Sequence, residues 1–136
     1  MRTSKDFPNT LVDWDLFVLR HQNRKNVAVH FISFIFFWLS PILAVAVNPW
    51  FILGFFASGI IGTAGHYFFS DGTVDAKEAT SSLQVVQFSS KMAFLFISGR
   101  YWEEISYVNA KWQKYKNGEI ESKANDEMFS KLGTNV

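Results

Sequence analysis

The chain has 136 residues, 49% hydrophobic, 18% aromatic and only 18% charged, with a formal net charge of +1. That length suits one domain, and so even a charge balance leaves no basic excess for a nucleic-acid footprint. Cysteine is absent, which excludes disulfides, thiolate metal sites and cysteine nucleophiles.

The first stretch, MRTSKDFPNTLVDWD, lacks the short apolar core of a secretory signal, so no cleavage is expected there. LRHQNRKNVAVHF (residues 19–31) then carries two of the three histidines, His21 and His30, on either side of a basic patch. Between Lys25 and Asp71 there is no Asp, Glu, Lys or Arg. Asn48-Pro49, a turn-forming pair, divides this run into spans at about 27–47 and 49–69. Each has the roughly 20 residues that a helix needs to cross a hydrocarbon core. Trp50 stands beside the turn, where interfacial aromatics are favoured. A hairpin buried in a soluble core would need far more protein around it, so the expected class is all-α, an integral membrane hairpin of two spans. Pro41 is expected to bend the first span near Phe37.

With the turn centred between Asn48 and Pro49, antiparallel partners sum to about 97, which sets His30 against position 67, beside His66. Both histidines then lie ~27 Å from the turn at the helical rise, close to one membrane surface. His21 lies just outside that surface, on the segment leading in. Gly54, Ser58, Gly62 and His66 recur in steps of four, a small-residue stripe of the kind that lets membrane helices approach closely. GIIGTAG (59–65) lies inside the span and follows no strand, so it reads as helix packing rather than a nucleotide loop.

SDGTVDAKEATSS (70–82) reads as a polar loop, followed by a third apolar helix at about 83–99 that carries Gln84, Gln87 and Lys91. Arg20, Arg24 and Lys25 place the N-terminal side in the cytoplasm, and the hairpin returns Lys77 to that side. A full third crossing would put Lys111, Lys114, Lys116 and Lys123 outside, so this helix is expected to be partly buried, packed shallowly against the hairpin. RYWEEISYVNAKWQKYK reads as an interfacial C-terminal helix passing into a polar tail at about 109–136, its charges serving only solvation. The whole is expected to form a single membrane domain.

Histidines at membrane depth are costly and tend to be functional. Three neutral imidazoles without thiolate suit Fe(II), Zn(II) or Cu(II) and leave coordination positions open. Asp71, Asp75 and Glu78 stand on the same side as further oxygen donors. Asn23 and Asn26 could orient the ligands, as metal-bound imidazoles require; capping the first span is the other role open to Asn26. A desaturase or hydroxylase of the histidine-box type needs many more histidines than three.

RHQNRKNVAVHFIS resembles the H-x-N-x-x-N-x-x-x-H motif that opens a family of small membrane proteins. Those proteins resemble the fungal iron(II)-dependent 2-hydroxy fatty acid dioxygenase of phytosphingosine breakdown. Gly65-His66 matches the family's second motif, a Gly-His closing the second span, while EATSS and FLFISGRYWEEI resemble its third segment and Gly-Arg exit. The resemblance covers roughly residues 16–105. It implies His21, His30 and His66 as catalytic Fe2+ ligands, with Asn23 and Asn26 in the polar shell around them. The chain departs from the family where Ser70 replaces a glutamate and a longer loop follows, leaving Asp71 or Glu78 to take the carboxylate's role.

The implied reaction shortens a 2-hydroxy fatty acid by one carbon with O2, giving CO2 and water. The substrate supplies every electron, and no motif for a nicotinamide or flavin is visible. Arg20, Arg24 or Lys25 could hold the substrate carboxylate. The expected partners are therefore a lipid-like substrate, O2 and the membrane, with a homo-oligomer open and nucleic acid excluded. The expected location is the cytoplasmic membrane of a bacterium or the endoplasmic reticulum of a eukaryote, with the metal near the cytoplasmic face. Two alternatives remain: axial ligation of a b-type haem by His30 and His66, or a non-catalytic membrane protein whose histidines only hydrogen-bond.

Overall fold

The computed structural model describes residues 10–69 and 83–124. Among these residues the chain is mostly helical. Its elements are β1 (Thr10–Leu11), α1 (Asp13–Arg20), α2 (Arg24–Ala46), a 3-10 turn at Pro49–Phe51, α3 (Ile52–Phe69), α4 (Leu83–Ile97), α5 (Tyr101–Lys116) and β2 (Glu121–Ser122). They divide into two compact units. One runs from His21 to Tyr101; the other holds α1, both strands and α5 from Trp102 onward. The loop at 70–82, with Asp71, Asp75 and Glu78, lies outside the described residues.

In the His21–Tyr101 unit, α2 and α3 form an antiparallel hairpin, each helix long and apolar enough to cross a membrane. α2 starts at Arg24, ahead of the apolar run, because Asn23 caps it: the side-chain oxygen accepts from the Lys25 amide at 2.9 Å. The helix then continues through Pro41 to Ala46. Asn48 is extended (φ −158°, ψ 129°), and its side chain accepts from the Trp50 amide at the start of the 3-10 turn.

That turn changes the helix register. An extended residue advances ~3.3 Å and a 3-10 residue ~2.0 Å, against ~1.5 Å in an α-helix. The returning chain therefore drops along α2 faster than α2 climbed. Gly54 already meets Ser40 and Phe36, and His30 faces Gly62 rather than position 67. Opposed positions sum to about 92, as in Ser33 with Ser58 and Asn23 with Phe69. The symmetric register of about 97 is thus corrected by about five residues, nearly one and a half helical turns.

The hairpin is inverted relative to a soluble one. Its buried residues are Asn26, Val27 and Ser40 on α2 and Ser58, Gly62 and Gly65 on α3. Ile42, Val45, Phe56 and Ile60 are exposed, away from the partner helix, while Phe37 and Phe55 pack across the interface with ring centroids 4.9 Å apart. α4 packs against α2 through Phe31 and Phe96, whose ring centroids lie 5.1 Å apart, and buries Met92 and Ala93. It ends at Ile97, where Gly99 takes a positive φ of 71° and the Gly99 and Arg100 amides close onto the Phe96 and Leu95 carbonyls.

The second unit is built differently. Parallel pairing joins Thr10 to Glu121 and Leu11 to Ser122, so segments from near both ends of the chain meet. α1 opens with a reciprocal cap in which the Val12 amide donates to Asp15 Oδ2 and the Asp15 amide to the Val12 carbonyl. In α5, Glu104, Val108 and Lys111 recur on one buried face. Glu104 accepts from Trp14 Nε1 at 2.7 Å, and Lys111 pairs with Asp15, both ends of that ion pair being buried. These charges therefore do more than solvate the helix. α5 also continues to Lys116 and leads into β2, where a polar tail was expected from about residue 109. Neither α1 nor the strand pair is expected from the sequence pattern alone.

Asp15 serves both the α1 cap and a buried ammonium, so Asp15→Asn should destabilise this unit by about 3–5 kcal/mol, the cost of a buried charge losing its partner. The double change Asp15→Leu with Lys111→Met should recover most of that loss. Thermal unfolding of both variants in detergent checks this, and equal destabilisation by the two would refute it.

Candidate metal centre

Along α2, Asn26, His30, Ser33, Phe37 and Ser40 follow one another at alternating steps of four and three, so they share one face. α3 answers with Gly54, Ser58, Gly62 and Gly65. The result is a polar seam inside an apolar hairpin. Ser33 donates to the Ser58 carbonyl at 2.6 Å. A Cβ at Gly62 would sit 3.4 Å from His30 Cε1 and from Ser33 Oγ, and one at Gly65 would sit 2.6 Å from Asn26 Oδ1. The glycines are therefore the recesses that receive the polar side chains of α2.

In this register His30 faces Gly62 while His66 lies one turn further on, beside Asn26. Side-chain reach closes the difference, and the His30 and His66 ring centroids are 4.6 Å apart. His21, from the non-helical joint ahead of α2, completes the set at 4.6 Å from His30 and 4.7 Å from His66. The three rings meet edge to face, at 67° to 78°, in a near-equilateral triangle. One ligand nitrogen from each lies within 4.8 Å of the others. A tetrahedral ion with bonds of ~2.0–2.1 Å holds its nitrogens about 3.4 Å apart, a spacing that small ring rotations would reach.

Two further features fit a metal. His30 Nε2 is buried and makes no hydrogen bond, while the Nδ1–Cε1 edge of the same ring lies over Gly62. Asn26, fully buried, brings its carboxamide to 3.5 Å from His66 Nδ1. An imidazole that ligates through Nε2 keeps its proton on Nδ1 and needs an acceptor there. Asn26 meets that need once its amide presents Oδ1 to His66, a half-turn that leaves the side-chain volume unchanged.

The remaining candidates separate. Asn23, not Asn26, caps α2, and its Nδ2 donates to the Phe69 carbonyl at 3.0 Å, tying the start of α2 to the last residue of α3. Arg24 and Lys25 are exposed on the first turn of α2. Arg20 is buried in the other unit, and Asp71 and Glu78 lie outside the described residues. Sequence reasoning gave no role to Tyr101, whose phenol donates to the His21 carbonyl at 3.0 Å. The signal for it was an aromatic residue directly after the Gly-Arg helix break. No family model, curated protein or solved structure matches the chain.

Gly62→Leu should drive a branched side chain into the His30 ring and Ser33, lowering metal occupancy of the purified protein several-fold with all three histidines intact. Gly62→Ala, whose Cβ fits at ordinary contact distance, should keep most of it. Metal analysis distinguishes the two, and full occupancy in a folded Gly62→Leu protein would refute the seam's role.

Proposed function

We propose that this protein is an integral membrane, Fe(II)-dependent dioxygenase that shortens 2-hydroxy fatty acids by one carbon. The observation that carries the reading is the convergence of all three histidines of the chain in one triangle at the end of the polar seam. The resemblance of the HxNxxNxxxH and Gly-His motifs supplies the substrate class.

The inverted hairpin supports membrane insertion. Lipid provides no hydrophobic drive between helices, so their contact has to come from close packing and hydrogen bonds, as it does here. Trp50 at the turn suits one interface, and Arg24 and Lys25 at the opposite end of α2 suit a cytoplasmic one. The metal then lies near the cytoplasmic face of a bacterial cytoplasmic membrane or of the endoplasmic reticulum.

Bound Fe(II) would supply reactivity toward O2, which no side chain in the site has. The reaction balances without another reductant: a 2-hydroxy acid and O2 give the acid one carbon shorter, CO2 and water. His21, His30 and His66 would hold the ion as neutral donors, and the substrate would bind there through its carboxylate and 2-hydroxyl. Asn26, with Oδ1 turned to His66, would hold that ring and its tautomer, and Asn23 ties the start of α2 to the end of α3. Arg24 and Lys25 offer positive charge to an anionic headgroup, while the substrate's alkyl chain stays among the apolar side chains.

The alternatives fit less well. Axial haem ligation puts two imidazoles on opposite faces of a macrocycle, whereas His30 and His66 lie almost in contact with His21 beside both. A purely hydrogen-bonding role would leave the buried His30 Nε2 unexplained.

The absence of native cysteine allows clean single-site labelling. Arg24→Cys and Asn48→Cys should label from opposite sides of sealed vesicles, and same-side labelling would rule out a transmembrane hairpin. For the chemistry, His21→Ala, His30→Ala and His66→Ala should each abolish oxygen-dependent shortening of a 2-hydroxy fatty acid and lose most of the bound iron. Pairwise combinations should add little, since the three act as a unit. Retention of metal and activity by His21→Ala would refute the three-histidine site, and a Soret band in the purified protein would favour haem.

A further inference from the structure

His30 and His66 are carried on long helices, so their Cα positions are held by the hairpin itself. His21 has no such support, because its backbone is non-helical, in the joint between α1 and α2. Its side chain is nevertheless almost completely buried and stands at the same distance from the other two rings as they do from each other. Something other than helical geometry has to fix the peptide that carries it.

Tyr101 makes a tie of this kind. It is the first residue of α5, placed directly after the positive-φ turn at Gly99, and it is fully buried. Its hydroxyl donates to the backbone carbonyl of His21 at 3.0 Å, across 80 positions of sequence. A hydrogen bond to a backbone carbonyl restrains the peptide plane, and with it the direction in which the Cα–Cβ bond leaves. The tie therefore acts on where the His21 imidazole points without touching the imidazole.

We infer that Tyr101 is a positioning residue for the metal centre, holding His21 preorganised as the third ligand through its main-chain carbonyl. The inference rests on the metal-binding reading of the three histidines. A binding site loses affinity when one ligand has to be ordered during binding, and loss of an outer partner of a metal ligand typically costs 10–100-fold in metal affinity.

Co(II) is the probe, titrated into the purified full-length protein and followed by its d–d absorption. Tyr101→Phe keeps the buried ring and removes only the hydroxyl. It should weaken Co(II) binding 10–100-fold and change the d–d band, which reports ligand geometry. Tyr67→Phe, at an exposed tyrosine, should do neither. The decisive comparison is made in a His21→Ala background. If Tyr101 acts through His21, adding Tyr101→Phe there should change Co(II) affinity less than two-fold, whereas a general structural role would lower it as much as in the parent. Melting of the metal-free proteins establishes that each variant is folded, and Tyr101→Leu takes the place of Tyr101→Phe should the latter not fold. Wild-type protein that binds no Co(II), Zn(II) or Fe(II) would overturn the metal reading together with this inference. Wild-type binding with unchanged affinity and spectrum in Tyr101→Phe, or an equal loss in the His21→Ala background, would overturn the role of Tyr101 alone.

Discussion

The pairing of polar side chains with glycine across the hairpin is the contact on which the rest of the candidate metal centre depends. His30 can turn inward because position 62 carries nothing larger than a methyl group, and Asn26 can do so only because Gly65 presents no side chain at all. In a soluble helical pair, apolar residues fill the interface and polar ones face out. Here the buried positions of the two helices are mainly small or polar, with Phe37 and Phe55 packed across the same interface. Close packing and hydrogen bonds such as Ser33 to the Ser58 carbonyl join the two helices, the contacts that the proposed insertion into lipid would require. The residues that hold the helices together are thus neighbours of those that form the site along a single seam.

The second unit shows the opposite solution. Its buried face on α5 is organised by Glu104 on Trp14 and by Lys111 on Asp15, with Leu11, Leu16, Val18 and Val108 around them. Long-range polar contacts of this kind fix register and orientation where a small core leaves both loosely determined. The charges of α5 are periodic in the sequence, but a solvated face has the same periodicity. Only the partner, far away on α1, distinguishes a buried lysine from an exposed one, which is why the sequence reading missed it.

The hairpin was legible because its signal is local: an uncharged run of the right length, broken by Asn48-Pro49, with small residues recurring every four positions. The convergence of the histidines was legible to within a helical turn, and long side chains tolerate that error. The register was not legible, since it depends on how far the chain falls between Asn48 and Ile52. That in turn depends on an extended Asn48 and a 3-10 turn where a symmetric bend was the simplest assumption. The division of labour between the asparagines was hidden for a related reason. Asn23 and Asn26 are both polar residues at the start of a span, and a shift of three positions decides which caps the helix and which reaches His66. The carboxylates of the 70–82 loop, on which the departure from the family pattern turns, lie outside the described residues.

The neutral character of the donor set carries one more consequence for the proposed reaction. Three imidazoles contribute no negative charge, and charge is expensive where water is scarce. A divalent ion held by His21, His30 and His66 would therefore favour an anionic ligand at its remaining positions. A carboxylate from the protein would meet that demand permanently and compete with the substrate for it. Where the protein leaves it unmet, the substrate's own carboxylate meets it, and binding gains the electrostatic term that a resident glutamate would have consumed. Among the described residues the group holds three histidines and no carboxylate, which is the second of these arrangements. Recognition of a 2-hydroxy acid would then rest less on a dedicated carboxylate-binding side chain than on the charge that three neutral histidines leave uncompensated.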